Sequence, residues 1–436
     1  MRYLLIGVGV AGVAAAEAIR SKDPNSEIVM VSDDPNGFYS RPGLAFYLSG
    51  ELPEEGLFPE TQREWLRTNV RILKGRAIGI MPEVHEIEVG GSGKLKYDQL
   101  LIATGSVAAP MKIPGANLES VVKLDDFEDA LRIRKIGRKA KSAVVIGGGI
   151  TALELVEGLT TQKVKVHYLL RGKRYWSNVL DEDESHIVEH KLLEEGVKIH
   201  YLTETTMIMG KRGHVAGVVT NTGETIKCQI VGYALGIKPR LTLAQSAGLT
   251  IDRGILVNEF LQTNQPDIYA AGDVAQVYDP LSGQFLMDSL WNPAREQGHA
   301  AGLNMTGEKK VYRKEIAYNV TRLAGITTTI IGMVGGEISD EDMLDIARGD
   351  SETFRQLPNA IAMKSGSDIN HVRLLIGENT LVGALVMGDQ TLSRPLKELI
   401  LTQVDIKEIH DKLLQNEILL SEIIMDQWMA WRQSSA

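Results

Sequence analysis

The chain of 436 residues is 44% hydrophobic and 24% charged, ordinary values for a globular enzyme, and it is too long for one core, so roughly three domains are expected. Its 47 Lys and Arg against 56 Asp and Glu leave a net charge of −9, which carries no signature of nucleic-acid binding and suits a basic protein partner better. The only cysteine, Cys228, excludes a disulfide, a Cys-x-x-Cys pair and a thiolate set for iron–sulfur or structural zinc, so any electron transfer runs through organic cofactors or an external partner.

The first predicted element is a strand, Tyr3 to Ile6, followed by Gly7, Gly9, Ala11 and Gly12 in a G-x-G-x-x-G pattern, and then by helical spacing from Ala14 to Arg20. Strand, glycine loop and helix in that order open a Rossmann βαβ unit. The first glycine makes the tight turn, the second lets the backbone approach a pyrophosphate, and the third allows close helix packing. Arg2, the apolar run after it and Ala14 to Ala16 imitate a secretion signal, but the glycine spacing accounts for the segment as a nucleotide site. The next strand, Glu27 to Val31, leads into Asp33, the carboxylate expected roughly 20 residues on to take ribose hydroxyls.

The pattern returns 140 residues later. A strand, Ala143 to Ile146, precedes Gly147, Gly149, Ile150 and Ala152, and a helix is predicted over Leu153 to Leu159. Two such loops imply two dinucleotides. The strand that follows, Val164 to Leu170, ends in Arg171, Lys173 and Arg174 with no acid. Cations at that position suit a 2′-phosphate, which leans the second site towards NADPH; a solvated basic turn is the alternative. Cys228 lies in an alternating strand, Glu224 to Val231, and is expected to pack as a small hydrophobe.

Further along, strand-like runs are predicted at Thr327 to Ile331, Val372 to Ile376 and Leu381 to Val386, with an acidic helical stretch at Asp340 to Arg348. The tail after Thr402 is helical in spacing, and Trp428 and Trp431 are expected to bury against their own domain. His186 and His190 sit one turn apart on a polar helix without a third ligand, so no metal is expected there. No run reaches the ~18 apolar residues of a membrane helix, and a cytoplasmic location is expected.

Taken together, the two loops, the strand ending in Ala103, Thr104 and Gly105, the run Tyr233 to Pro239, and Ile268 to Asp273 with its Gly272-Asp273 pair resemble the two-dinucleotide flavoprotein family of pyridine nucleotide oxidoreductases. Phe38 to Gly50, with Arg41 and Pro42 and no cysteine, narrows the likeness to its ferredoxin-reductase-like members and the flavin module of assimilatory nitrite reductases. Asn319 to Gly332 and Leu381 to Asp389 are similar to the C-terminal domain of that module. The resemblance implies an α/β fold of two Rossmann-like domains, one for FAD and one for NAD(P) inserted in it, plus a C-terminal α+β domain. The FAD domain is expected at 1–115 and 243–310, the NAD(P) domain at 116–242, the C-terminal domain at 311–400 and a helical tail at 401–436.

By the same resemblance, FAD is held by Gly7, Gly9, Ala11, Gly12, Asp33, Arg41, Pro42, Ala77, Ala103, Thr104, Gly105, Arg134, Gly272, Asp273 and Leu290. The second site is lined by Gly147, Gly149, Ile150, Glu154, Arg171, Lys173 and Gly236. Two departures stand near the chemistry. Phe46 replaces a lysine that commonly pairs with the glutamate matching Glu154, and Ile150 replaces an aromatic gate over the nicotinamide. The implied activity is FAD-dependent NAD(P)H oxidation, hydride passing from nicotinamide to flavin N5 and electrons on to a ferredoxin- or rubredoxin-like protein, a reductase subunit or a small acceptor. No side chain is needed as acid, base or nucleophile. The alternatives are a non-catalytic flavin-binding subunit and an NAD(P)H oxidase, as a homodimer or within a larger complex.

Overall fold

The computed structural model describes residues 1–59, 69–335, 346–367, 369–415 and 420–435. They form two compact units. The first comprises Met1–Ala109, Asp125–Leu131 and Gly236–Lys314; the second comprises Pro110–Leu124, Arg132–Leu235 and Glu315–Ala436.

The first unit is built on a five-stranded parallel sheet in the spatial order Ile268–Ala270, Gln99–Ile102, Arg2–Ile6, Glu27–Ser32, Arg71–Lys74. Arg2–Ile6 lies at the centre, with Leu4 opposite Val29 on one side and Leu100 on the other. Such strands are covered on both faces, which is why Tyr3, Leu4, Leu5, Ile6, Leu100, Leu101 and Ile102 form an unbroken apolar set, all buried. Helix Val10–Lys22 packs along helix Trp291–Met305 at very short range. A Cβ added at Gly298 would lie 2.0 Å from the Ala11 carbonyl oxygen, and one at Gly302 would lie 2.5 Å from that of Ala15. Only glycine on one helix and alanine on the other permits that approach.

The chain leaves this unit and returns to it side by side. Ser106–Ala108 pairs antiparallel with Ile237–Pro239, and the Ala109 N–H donates to the Gly236 carbonyl at 2.9 Å. The segment between is thereby an insertion held at its two roots.

The second unit has its own five-stranded parallel sheet, in the order Lys198–His200, Lys165–Leu169, Ser142–Ile146, Ile230–Tyr233, Val121–Val122. Its strands around Ser142–Ile146 repeat the spatial order of the first sheet around Arg2–Ile6, the doubly-wound arrangement expected. Cys228 is buried with Val144, Val218 and Ile226, as an apolar residue should be. Beyond residue 315 lies an antiparallel sheet ordered Tyr318–Leu323, Ile326–Gly332, Leu381–Met387, Asn370–Ile376, Ile361–Ser367. Helices Ser393–Leu401 and Leu420–Ser435 cover it, and Trp428 and Trp431 pack against its core. The helix expected over 340–348 lies mostly outside the described residues. Its described end, 346–348, is not helical but leads into a turn at Gly349, where a positive φ of 77° favours glycine.

Candidate dinucleotide sites

Both glycine loops are made the same way. Gly7 has φ 117° and Gly147 has φ 141°. A Cβ at Gly7 would lie 2.1 Å from the Ala103 carbonyl oxygen, and one at Gly147 would lie 2.2 Å from that of Ala234. In each case the first glycine turns the chain against the end of the neighbouring strand, and a helix begins at once: Val10–Lys22 after Gly9, Ile150–Thr161 after Gly149. Neither helix has a side-chain cap bond at its N-cap glycine, so no capping side chain competes for its first N–H groups, which bind an anion where one can reach them.

Around the first loop the candidate residues converge. Ala103, Thr104 and Gly105 follow the strand against which Gly7 turns. Asp33 stands beyond the end of Glu27–Ser32, where Arg76 binds it at 2.7 Å in an exposed ion pair; Ala77 is the next residue along. Arg41 donates to the Asp125 carbonyl at 2.7 Å and lies 3.9 Å from Asp34, over the Tyr39 ring. Burial opposes its charge, but Tyr39, Asp125, Asp34 and Asp273 outweigh that and raise its pKa. Asp273 is fixed in turn: Oδ2 accepts from Ser106 Oγ at 2.7 Å and from Ser289 Oγ at 3.1 Å. The Gly272 N–H donates to Gln297 Oε1 at 2.8 Å. Pro42 and Leu290 are the N-caps of the helices Gly43–Ser49 and Trp291–Met305. Ser106, Ser289 and Gln297 were not legible as site residues, because each acts by holding a neighbour.

Space over the loop is open: a Cβ at Gly9, the second glycine, would meet nothing within 4 Å. A helix N-terminus, a carboxylate at Asp33 and a second at Asp273 are groups that an FAD site would use.

In the second unit, Arg134 lies on helix Phe127–Gly137, and Gly236 is the first residue of the returning strand's root, in the first unit. Arg171 and Lys173 are exposed beyond the strand Lys165–Leu169. Arg174, the third cation of that cluster, donates to the carbonyls of Ser177 at 3.3 Å and Leu180 at 3.4 Å, and so supports its own loop. Ile150 is buried. Glu154 and Glu157 are partly buried on the same helix. Burial pushes both carboxyls up to about 7, opposed at Glu154 by Arg348 and at Glu157 by the Gly325 N–H and Arg322. Sequence spacing gave no signal for Arg348, which comes from nearly 200 residues further along the chain.

Among the described residues, Asp181, Glu184 and His371 bring ligand atoms within 4.8 Å of one another. Arg373 at 2.9 Å from Glu184 and Lys364 at 2.7 Å from Asp181 already neutralise them, so the cluster is an ion-pair network. His190 pairs with Glu194 at 3.4 Å.

These features are those of a flavin- and nicotinamide-dependent oxidoreductase fold. The chain belongs to the family described as pyridine nucleotide-disulphide oxidoreductase, whose pattern matches residues 1–298. It is 27% identical over 400 residues to an NADH-rubredoxin oxidoreductase of Clostridium acetobutylicum, covering 92% of this chain and 94% of that one. It is 29% identical over 312 residues to a 3-phenylpropionate/cinnamic acid dioxygenase ferredoxin–NAD(+) reductase component of Photorhabdus laumondii, covering 70% and 77%. Its fold superimposes on a chain of the covalent putidaredoxin reductase–putidaredoxin complex with a TM-score of 0.85, at 22% identity over 98% of each chain. Among the described residues no helix is long and apolar enough to cross a membrane.

Proposed function

We propose that the protein is an FAD-dependent NAD(P)H oxidoreductase that passes electrons to an external ferredoxin- or rubredoxin-like protein without a redox disulfide. The observation that carries this is the first site: an open glycine loop, Asp33, and an Asp273 carboxylate oriented by two serine hydroxyls. The relatives named for rubredoxin and for ferredoxin–NAD(+) reduction support the acceptor class. The proposed location is the cytoplasm, since a lone buried thiol with no disulfide suits a reducing compartment.

When bound, the flavin and nicotinamide supply the hydride transfer and the onward electrons. The chain supplies position and electrostatics. The N–H groups opening helix Val10–Lys22, with Gly7, Gly9, Ala11 and Gly12, receive the pyrophosphate. Asp33 accepts ribose hydroxyls with its charge tempered by Arg76. Asp273 accepts a hydroxyl of the sugar chain, and Ser106 and Ser289 stop it from rotating away. Gly147, Gly149, Ile150 and Glu154 do the corresponding work for the nicotinamide dinucleotide, and Arg171 with Lys173 meets a 2′-phosphate if one is present. Burial pushes the Cys228 thiol up to about 12, so it stays protonated and takes no part.

The test is anaerobic mixing of the purified protein with NADH and, separately, NADPH while flavin absorbance is followed. Bleaching by either supports the reading. A yellow protein bleached by neither is a flavin-binding subunit without turnover, and a bleached protein reoxidised by oxygen but by no ferredoxin or rubredoxin is an oxidase.

A further inference from the structure

The two glycine loops share a backbone but differ in what stands over them. The second glycine of the pattern lacks a side chain so that a pyrophosphate can approach its backbone. At Gly9 that volume is open, with nothing within 4 Å of an added Cβ. At Gly149, its counterpart, an added Cβ would lie 3.3 Å from the Ala347 Cβ. The methyl group of Ala347 thus stands against the face of the second loop whose counterpart is open at Gly9.

Ala347 is held there by a built turn. The Asp350 N–H donates to the Ala347 carbonyl at 3.2 Å, and Gly349 lies against Ile150, whose Cδ1 is 3.6 Å from the Gly349 Cβ position. Asn319 Nδ2 donates to the Gly349 carbonyl at 2.8 Å. On the far side the Asp350 carboxylate, fully buried, is gripped by Arg355 at 2.6 Å and 3.1 Å. Ile346 is buried on the near side. Arg348 is the central residue of the turn, and its charge is the one that opposes the desolvation of Glu154.

From this geometry we propose that the turn Ala347–Gly349 is an autoinhibitory cover that competes with the nicotinamide dinucleotide for the second glycine loop, held in place by the Asn319 bond to Gly349 and the Asp350–Arg355 pair. The proposal rests on the second loop being the nicotinamide site. The covered form withholds the anion-binding N–H groups at the start of helix Ile150–Thr161, and nucleotide binds the fraction of molecules in which the turn has moved off. Apparent affinity is then the intrinsic affinity reduced by that open fraction. The C-terminal sheet, which contributes Asn319, thereby reports to the nucleotide site, and anything that draws the turn away raises nucleotide affinity.

The experiment measures the dissociation constants of NADH and NADPH by calorimetry for the wild type, Asn319→Ala and Ala347→Gly. Hydrogen exchange over residues 346–356 is followed with and without saturating nucleotide. The cover predicts that Asn319→Ala, which removes the bond that holds Gly349, tightens binding by about tenfold, as expected if roughly a tenth of the wild type is open. Ala347→Gly, which removes only the methyl group, also tightens. Nucleotide should speed exchange over 346–356 in the wild type. Binding that is unchanged or weaker in both Asn319→Ala and Ala347→Gly, with no change in exchange, overturns the cover while leaving the nicotinamide site intact. Failure of every protein to bind either nucleotide refutes the nicotinamide site itself, and the cover with it.

Discussion

Arg373, in the C-terminal antiparallel sheet, places its Nε 2.9 Å from Glu184 Oε1 at the start of helix Glu182–Glu194, and both side chains are almost wholly buried. Glu184 also closes a capping box, its other oxygen accepting from the Asp181 N–H at 2.9 Å while its own N–H donates to Asp181 Oδ1 at 3.0 Å. Arg373 adds bonds to the Val334 and Val179 carbonyls at 2.9 Å and 2.8 Å. One guanidinium therefore ties the nucleotide-binding part of the second unit to the sheet beyond residue 315. Removing one partner of a buried pair leaves an uncompensated charge and costs about 3–5 kcal/mol. Arg373→Met should lose that much stability in urea unfolding, and Arg373→Met with Glu184→Gln should recover part of it. A loss below about 1 kcal/mol for the single variant would show the pair to be dispensable.

A second expectation concerns pH. Burial raises the Glu157 carboxyl from 4.5 to about 7 against the pull of the Gly325 N–H, which donates to it at 2.9 Å, and of Arg322. A group whose folded pKa exceeds its unfolded value binds its proton more tightly when folded. Its contribution to stability is fully present below pH 4.5 and is lost as pH rises to about 7. Glu157→Gln keeps an acceptor for Gly325 and removes the titration. Its melting temperature should fall less than that of the wild type between pH 5 and 7.5, and parallel curves would place the titration elsewhere.

The flavin site yields a third expectation. Asp273→Ala should release FAD on gel filtration, because it removes both the carboxylate and the reason for the two serine bonds. Ser106→Ala and Ser289→Ala keep the carboxylate but free its rotation. Each bond to a charged group is worth about 1.5–3 kcal/mol, so either variant should bind FAD at least about tenfold more weakly by flavin absorbance after dialysis. Retention of full flavin by the double serine variant would mean that Asp273 needs no positioning.

Much of this site was legible in the sequence because its parts are local: a strand, a glycine loop and a helix fall within 22 residues, and Asp33 and Gly272-Asp273 end strands of the same sheet. What was not legible is long-range. Arg373 reaches Glu184 and Ser106 reaches Asp273, and each pair joins separate elements through a fold that no spacing rule encodes. Most of the helix predicted over 340–348 lies outside the described residues, and at its described end Gly349 and Asp350 set a turn. The cation cluster, readable either as a 2′-phosphate site or as a solvated basic turn, divides into Arg174, which braces its own loop, and two exposed residues.

Thiol chemistry should be irrelevant. Cys228 is buried among aliphatic side chains and its thiol is pushed up to about 12, leaving negligible thiolate near neutrality. Cys228→Ser should keep essentially full flavin reduction. It should lose about 1–2 kcal/mol of stability, because a hydroxyl is costlier to bury. A large loss of reduction in a folded variant would give the thiol a role.

Coenzyme choice is the last expectation. Beyond the strand Lys165–Leu169 there is no acid to accept the ribose hydroxyls of NADH or to repel a 2′-phosphate, while Arg171 and Lys173 are exposed there. Arg174 is spoken for by the carbonyls of Ser177 and Leu180. Because Arg171 and Lys173 are exposed, each charge-assisted contact with phosphate is worth at most about 1 kcal/mol, and the pair together favours NADPH by roughly tenfold. Arg171→Ala with Lys173→Ala should raise the KM for NADPH by that factor and leave NADH nearly unchanged. Arg174→Ala should instead lower the melting temperature and affect both coenzymes alike. Equal losses for both coenzymes in the Arg171→Ala, Lys173→Ala variant would assign those residues to the shared pyrophosphate or to the fold, and the NADPH preference would have to be abandoned.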